Sequence, residues 1–388
     1  MERRTLLLAT AAALGGGAAL TGSLWHAAAL AAPAQNGRGP YGPLRPADAN
    51  GVQLPAGFTS RIVARSRKLV AGTPYAWHDA PDGGACFADG TGWIYVSNSE
   101  IPLLGGASAV RFGAAGTVVG AYRILGGTNV NCAGGATPWG TWLSCEEVPL
   151  GRVFETDPYG VRSASARTRM GRFKHEAAAC DPDRQVVYLT EDEGDGCFYR
   201  FRPDIWGNLD TGTLEVLCAP AGSTTGPVTW QRIPDRDGFP IPTRLQVGAA
   251  KHFDGGEGCH YSAGVCYFTT KGDNRVWAYD AVHQALDLAY DDSLIPSGAA
   301  PLTGVDNITG VPSGDLYVAE DGGNMEINIV TPGGVVAPVL RILDQASSEI
   351  TGPAFAPDGS RLYFSSQRGT AGHTGGGITY EVRGPFRR

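Results

Sequence analysis

One short pattern recurs six times along this chain and constrains its fold more than any other feature. A turn bearing Gly or a charged residue leads into an apolar run that holds an aromatic, and a small polar residue follows. The copies lie at residues 92–97, 140–144, 185–190, 264–269, 314–319 and 360–365. Their aromatics, Tyr95, Trp142, Tyr188, Tyr267, Tyr317 and Tyr363, succeed one another at steps of 47, 46, 79, 50 and 46 residues, the differences between those numbers. A further short strand precedes most copies, as at 354–359, and another follows most, as at 198–201 and 275–279. A three- or four-stranded unit repeating every ~40–50 residues has the spacing of a propeller blade. The expectation is an all-β chain forming a six-bladed β-propeller with a central metal site; a β-sandwich is the competing arrangement. The long third step marks an insertion around residues 203–247, which carries Trp206, Cys218 and several prolines and is expected to lie over one face.

Composition agrees with short strands and tight turns: 56 Gly and 26 Pro stand against 3 Met in 388 residues. A formal charge of −7 without any Lys/Arg-rich run gives no electrostatic reason to bind nucleic acid. Eight cysteines with no C-x-x-C pair argue against a disulfide scaffold or a zinc knuckle. At the start, Arg3-Arg4 precedes an apolar, Ala/Gly-rich run to about Ala32, the layout of an export signal with a twin-arginine character. Residues 1–32 are therefore read as the signal, 33–50 as a flexible linker and 51–388 as one propeller domain. No other segment approaches the ~18 apolar residues of a membrane span. The processed protein is expected to be an exported monomer without stable membrane insertion.

In a propeller the innermost strand of each blade starts at the face where the second strand ends, so acids at those two points converge on the axis. After the repeated pattern stand Glu100, then Cys145-Glu146-Glu147, Glu191-Asp192 and Glu320-Asp321; at the starts of inner strands stand His175-Glu176, Glu257 and Asp306-Asn307. Carboxylates so crowded cannot all remain ionised without counter-charge. Hard cations such as Ca2+ suit oxygen clusters, and a thiolate among them argues for a softer or trivalent metal, with Cys145 the cysteine placed to supply it. His175 reads equally as a ligand and as a structural group. The remaining cysteines fall in or beside apolar strands and read as packing thiols.

Several segments together carry a resemblance over nearly all the chain after the signal. They are residues 131–147 (NCAGGATPWGTWLSCEE), 171–178 (GRFKHEAA), 188–192 with 196–201, Glu257-Gly258, Asp306-Asn307 and 319–323 (AEDGG). The chain resembles the PhoX-type alkaline phosphatase family on these motifs. The resemblance implies a mixed Fe3+ and Ca2+ cluster that hydrolyses small-molecule phosphate monoesters. It further implies that Cys145 binds iron and that Glu176, Glu257, Asp306 and Glu320 are acidic ligands, with Glu146, Glu147, Glu191, Asp192, Asn307 and Asp321 nearby. Gly255 stands where the family often carries a phosphate-clamping arginine, so Glu257, Lys251 and Lys271 are the candidate catalytic groups, with Lys174 and Arg275 also near in sequence. Two other functions fit the residues: a non-catalytic, calcium-stabilised binding propeller, and a calcium-dependent lactonase-like propeller.

Overall fold

The computed structural model of the chain describes residues 32–296 and 300–388. Within them the extended elements are β-strands, and the helical turns are five short 3-10 segments. The signal expected at 1–32 lies, except for Ala32, outside the described residues.

The strands form six sheets set as blades around an axis. Pro81–Asp89, Gly92–Ser99, Gly105–Phe112 and Val118–Thr128 make the first blade. Asn131–Ala136, Trp142–Glu146, Val153–Thr156 and Ser165–Ala166 make the second. The third is His175–Asp181, Val186–Glu191, Gly196–Ile205 and Asn208–Cys218, with Thr229–Arg232 outside. The fourth is Gly256–Ser262, Val265–Thr270, Arg275–Asp280 and Ala285–Asp291. Val305–Gly310, Leu316–Glu320, Glu326–Val330 and Val335–Ile342 form the fifth. The sixth contains Ile350–Phe355, Arg361–Ser366 and Ile378–Arg383, and its outermost strand, Thr59–Arg65, comes from the other end of the chain. That pairing closes the ring and leaves the blades no open seam. The first-named strand of each of these blades is innermost, and inner strands touch in ring order.

The repeated aromatics are core residues. Tyr95, Trp142, Tyr188, Tyr267, Tyr317 and Tyr363 are all buried. Tyr95 of the first blade stacks on Tyr363 of the sixth with ring centroids 5.0 Å apart, and the Tyr363 hydroxyl donates to Glu381 at 2.6 Å while accepting from Trp93 Nε1 at 3.0 Å.

Two stretches differ from the sequence expectation. Residues 33–50, expected as a flexible linker, are anchored on the fifth blade at Gln35–Asn36 and at Tyr41. Gln35 and Asn36 pair in parallel with Val335 and Val336, and Tyr41 packs on Phe58 and Phe386 while its hydroxyl meets that of Tyr317 at 2.6 Å. Aromatic burial and backbone bonding outweigh the Pro/Gly content there. The residues taken as an insertion at 203–247 begin with the regular hairpin of the third blade, Gly196–Ile205 with Asn208–Cys218. Only the later part crosses the face, where Arg244 reaches Glu191 and Asp195.

One irregularity positions the site. In each of the six blades the ladder between the inner and second strands loses register close to the start of the inner strand, for example between Pro81 and Gly84, Asn131 and Gly134, and His175 and Ala178. A bulge re-aims the residues it contains. Here those residues include Asp82, Cys132, Glu176, Glu257 and Asp306. Tyr363→Ala, which removes the stack and both hydrogen bonds where the sixth blade packs on the first, is expected to destabilise the protein by about 3–5 kcal/mol, read as a lower denaturation midpoint at unchanged slope.

Candidate metal centre

In the first five blades the ladder places two residues per blade at the axial mouth. The first follows the opening ladder residue of the inner strand: Asp82, Cys132, Glu176, Glu257 and Asp306. The second follows that residue's partner at the end of the second strand: Glu100, Glu147, Asp192, Lys271 and Asp321. The sixth blade adds Gln367, whose amide donates to Asp82 at 2.6 Å and to Glu100, and Glu349, which bonds Asp321 and Arg368.

These groups make three overlapping sets in which one ligand atom from each member lies within 4.8 Å of the others: Asp82, Glu100 and Cys132; Cys132, Glu147 and Glu176; and Glu176, Glu257 and Asp306. Cys132 links the first two sets and Glu176 the last two. Glu176 is 0% exposed, and among the described residues neither of its carboxylate oxygens has a hydrogen-bond partner. A buried carboxylate without donors is strongly disfavoured in its charged form, so the residues present fit bound cations.

The electrostatics point the same way. Burial pushes Asp82, Glu176 and Asp306 well above the usual carboxylate range, and neighbouring acids push them further. Burial raises Glu147 to about 8, Glu257 to about 7 and Glu349 to about 10. The Cys132 thiol is raised by burial and by Asp82 and Glu176. Asp192 is the exception: burial works against it, yet hydrogen bonds from Glu147 and Lys174 and the charge of Lys271 hold it below its ordinary value.

Hydrogen bonds between blades fix the ligand-bearing backbone. Asn98 Nδ2 donates to the Cys132 and Ala133 carbonyls at 3.1 and 2.8 Å. Thr190 Oγ1 donates to the Glu257 carbonyl and Thr269 Oγ1 to that of Asp306, each at 2.5 Å. Thr351 Oγ1 donates to the Pro81 carbonyl at 2.8 Å. Asn307 Oδ1 accepts from Gly352 N at 2.6 Å, and its Nδ2 donates to Asp306 Oδ1 at 2.9 Å. Gly352 adopts φ +58, and a Cβ there would stand 2.8 Å from the Asp82 carbonyl oxygen, so glycine is required where the fifth and sixth blades meet the first.

The sequence-predicted residues divide accordingly. Glu147, Glu176, Asp192, Glu257, Asp306, Asp321 and Lys271 stand at the mouth. Cys145 does not: it packs in the core with Leu189 and Ala178, and the axial thiol is Cys132. Glu146, Glu191 and Glu320 occupy one ladder position earlier and face into their own blades, where they satisfy loop backbone. Glu146 accepts from Asn129 N and Arg152 N, Glu191 from Cys197 N and the Tyr199 hydroxyl, and Glu320 from Thr303 N and Glu326 N. Asn307 has its side-chain amide engaged by Asp306 and Gly352 and so holds the Asp306 carboxylate in place. His175 bonds the Gly171 carbonyl and packs on Phe173. Lys251 lies off the axis, donating to the Ser223 carbonyl above the Phe253 and Trp277 rings. Sequence reasoning missed Asp82, Cys132 and Glu349 as members; Asp82 and Cys132 share the ladder position of Glu176 and Glu257, which is the signal that finds them.

A cavity of about 320 Å3 lies along the inner strands away from these acids, and among the described residues its wall, with Cys86, Cys180, Cys259 and His260, bears no carboxylate.

Comparison with known proteins adds an independent finding. The family model described as alkaline phosphatase PhoX matches residues 95–152 and 148–289. Among solved structures, PhoX of Pseudomonas fluorescens in complex with vanadate, a transition-state analogue, superposes with a TM-score of 0.68 at 18% identity, covering 88% of this chain and 97% of that one. A structural-genomics protein of unknown function from Bacteroides thetaiotaomicron gives 0.52 at 9% identity over 84% of this chain and 76% of that one. A gluconolactonase from Xanthomonas campestris gives 0.49 at 15% identity over 89% and 99%. The search of curated proteins finds no match. With its six blades, its ring of axial acids and a family match spanning half its residues, the chain belongs to the PhoX alkaline phosphatase family.

Proposed function

We propose that this protein is an exported, metal-dependent phosphoric-ester hydrolase acting on small phosphate monoesters. The observation that carries the reading is the chain of three acidic sets joined through Cys132 and Glu176, supported by the family match. Carboxylate oxygens suit Ca2+, and a thiolate shared by two adjoining sets suits Fe3+ beside it, so Asp82, Glu100, Cys132, Glu147, Glu176, Glu257 and Asp306 are the residues that would hold a mixed cluster. Bound there, such ions supply Lewis acidity toward phosphoryl oxygens and lower the pKa of water.

The chain's own residues do the rest. Their carboxylates and thiol fix the positions where positive charge would collect; the inter-blade bonds from Asn98, Thr190 and Thr269, with that of Asn307 to the neighbouring Asp306, hold those positions without reorganisation as the reaction proceeds. A single-ion, oxygen-only site would suit the lactonase reading; three linked sets with a shared thiol favour the cluster. Export by the twin-arginine route agrees with the Arg3-Arg4 leader, since that route carries folded, cofactor-loaded proteins. No helix among the described residues is long and apolar enough to cross a membrane.

The two cysteines separate this reading from the sequence expectation. Cys132→Ala is expected to lose bound metal, measured by elemental analysis, and to lower phosphomonoester hydrolysis about 100-fold or more, whereas Cys145→Ala keeps both within a few-fold. Equal loss in the two variants, or none in Cys132→Ala, sinks the assignment.

Stability should depend on pH in a defined direction. Glu147 and Glu257 hold their protons to about pH 8 and 7 in the metal-free fold, against an ordinary 4.5. Between those limits the folded state binds more protons than the unfolded chain, so these groups' contribution is complete below pH 4.5 and lost as pH rises through the folded values. Chelated protein is therefore expected to melt at falling temperature from pH 5 to 8.5, with Ca2+ and Fe3+ abolishing most of that slope. A flat profile in chelated protein would count against the buried acidic nest.

A further inference from the structure

Above the acidic floor lies a partial rim of cations. Lys271 occupies the ladder position that in the first, second, third and fifth blades carries Glu100, Glu147, Asp192 and Asp321. Its ammonium lies 2.6 Å from Glu257 Oε1 and 3.4 Å from Asp192 Oδ2. Lys174 Nζ lies 2.9 Å from Glu147 and 2.8 Å from the same Asp192 oxygen, and Arg368 meets Glu349 at 2.9 Å. These three side chains are 39%, 27% and 35% exposed, while the Glu257 side chain beneath is 3% exposed. The three cations are thus open to solvent above the buried Glu257, alongside the exposed carboxylate of Asp321. Glu100 feels the charges of both Arg368 and Lys271, which places the two on one mouth.

The backbone makes room for this arrangement. Gly255 adopts φ +69, and a Cβ there would stand 3.2 Å from Lys271 Cγ and 3.3 Å from Asp192 Oδ1, so a larger residue would crowd the lysine stem. The Gly255 carbonyl also accepts the Lys271 amide at 2.9 Å.

We propose that Lys271, flanked by Lys174 and Arg368, is the anion-recognition element of the site and selects the dianionic phosphoryl group of a monoester. The inference rests on the phosphoric-ester reading and names the groups that enforce it. Glu176, Glu257 and Asp306 would hold a cation, and with the charge of Glu257 so engaged the Lys271 ammonium would be available to donate to a phosphoryl oxygen. A dianion collects charge-assisted bonds from several rim groups at once, a diester monoanion fewer, and a neutral lactone carbonyl gains least.

Inorganic phosphate is the probe, titrated by calorimetry into metal-loaded wild type, Lys271→Met, Lys271→Arg and Lys174→Met, with metal content measured on the same samples. Lys271→Met is expected to weaken phosphate binding about tenfold or more at unchanged metal content, with Lys271→Arg recovering most of it and Lys174→Met showing a smaller loss. Unchanged phosphate affinity in Lys271→Met overturns the proposal. Loss of metal in both Lys271→Met and Lys271→Arg also overturns it, since the lysine is then only a structural counter-ion. Wild type that binds phosphate through Lys271 yet hydrolyses no phosphate ester leaves the rim standing and removes the enzymatic reading.

Discussion

Mutual repulsion among the axial carboxylates is the constraint to which the rest of this structure answers. Asp82, Glu100, Glu147, Glu176, Asp192, Glu257, Asp306, Asp321 and Glu349 face one mouth, and the cationic groups placed there, Lys174, Lys271 and Arg368, do not balance them. A flexible protein would relieve such crowding by turning side chains toward water. This one holds them in place, because the inner strands are clamped between neighbours and the bulges commit their first residues to the axis. Relief then comes by protonation or by bound cations.

The clamping is distributed around the ring. Asn98, Thr190, Thr269 and Thr351 each reach from one blade to the carbonyl of an axial residue or of its immediate neighbour on the next, so that backbone is fixed by the blade that does not carry it. The glutamates one step earlier, Glu146, Glu191 and Glu320, fasten the loops above. One sequence neighbourhood thus does two jobs, with alternate residues turned to loop backbone and to the axis.

That alternation also explains what the sequence disclosed and what it hid. Blade number, the all-β class and the convergence of acids were legible, because apolar runs with aromatics mark second strands whatever the loops do. Individual ligands were less legible. Aligning Trp142 with Tyr188 sets Glu146 against Asp192, yet the ladder pairs Glu146 with Asn131 as it pairs Glu191 with His175, so Glu147 is the true counterpart. A single-residue shift turns a side chain from axis to blade, enough to set Glu146 beside Glu147 as a candidate. Cys132, in a run of small residues, reads as a packing thiol, and only the bulge turns it inward. The N-terminal strand that closes the sixth blade lacks the repeated pattern, so nothing in its residues announced its partner.

That closing strand has a temporal meaning. Thr59–Arg65 is made well before Ile378–Arg383, the strand it pairs with, and must wait for it. The axial residues run from Asp82 to Gln367, so no truncated or nascent fragment can present the complete coordination ring. A cation that needed ligands from the whole ring would therefore have to wait until the residues of all six blades had been made and the sixth blade had closed.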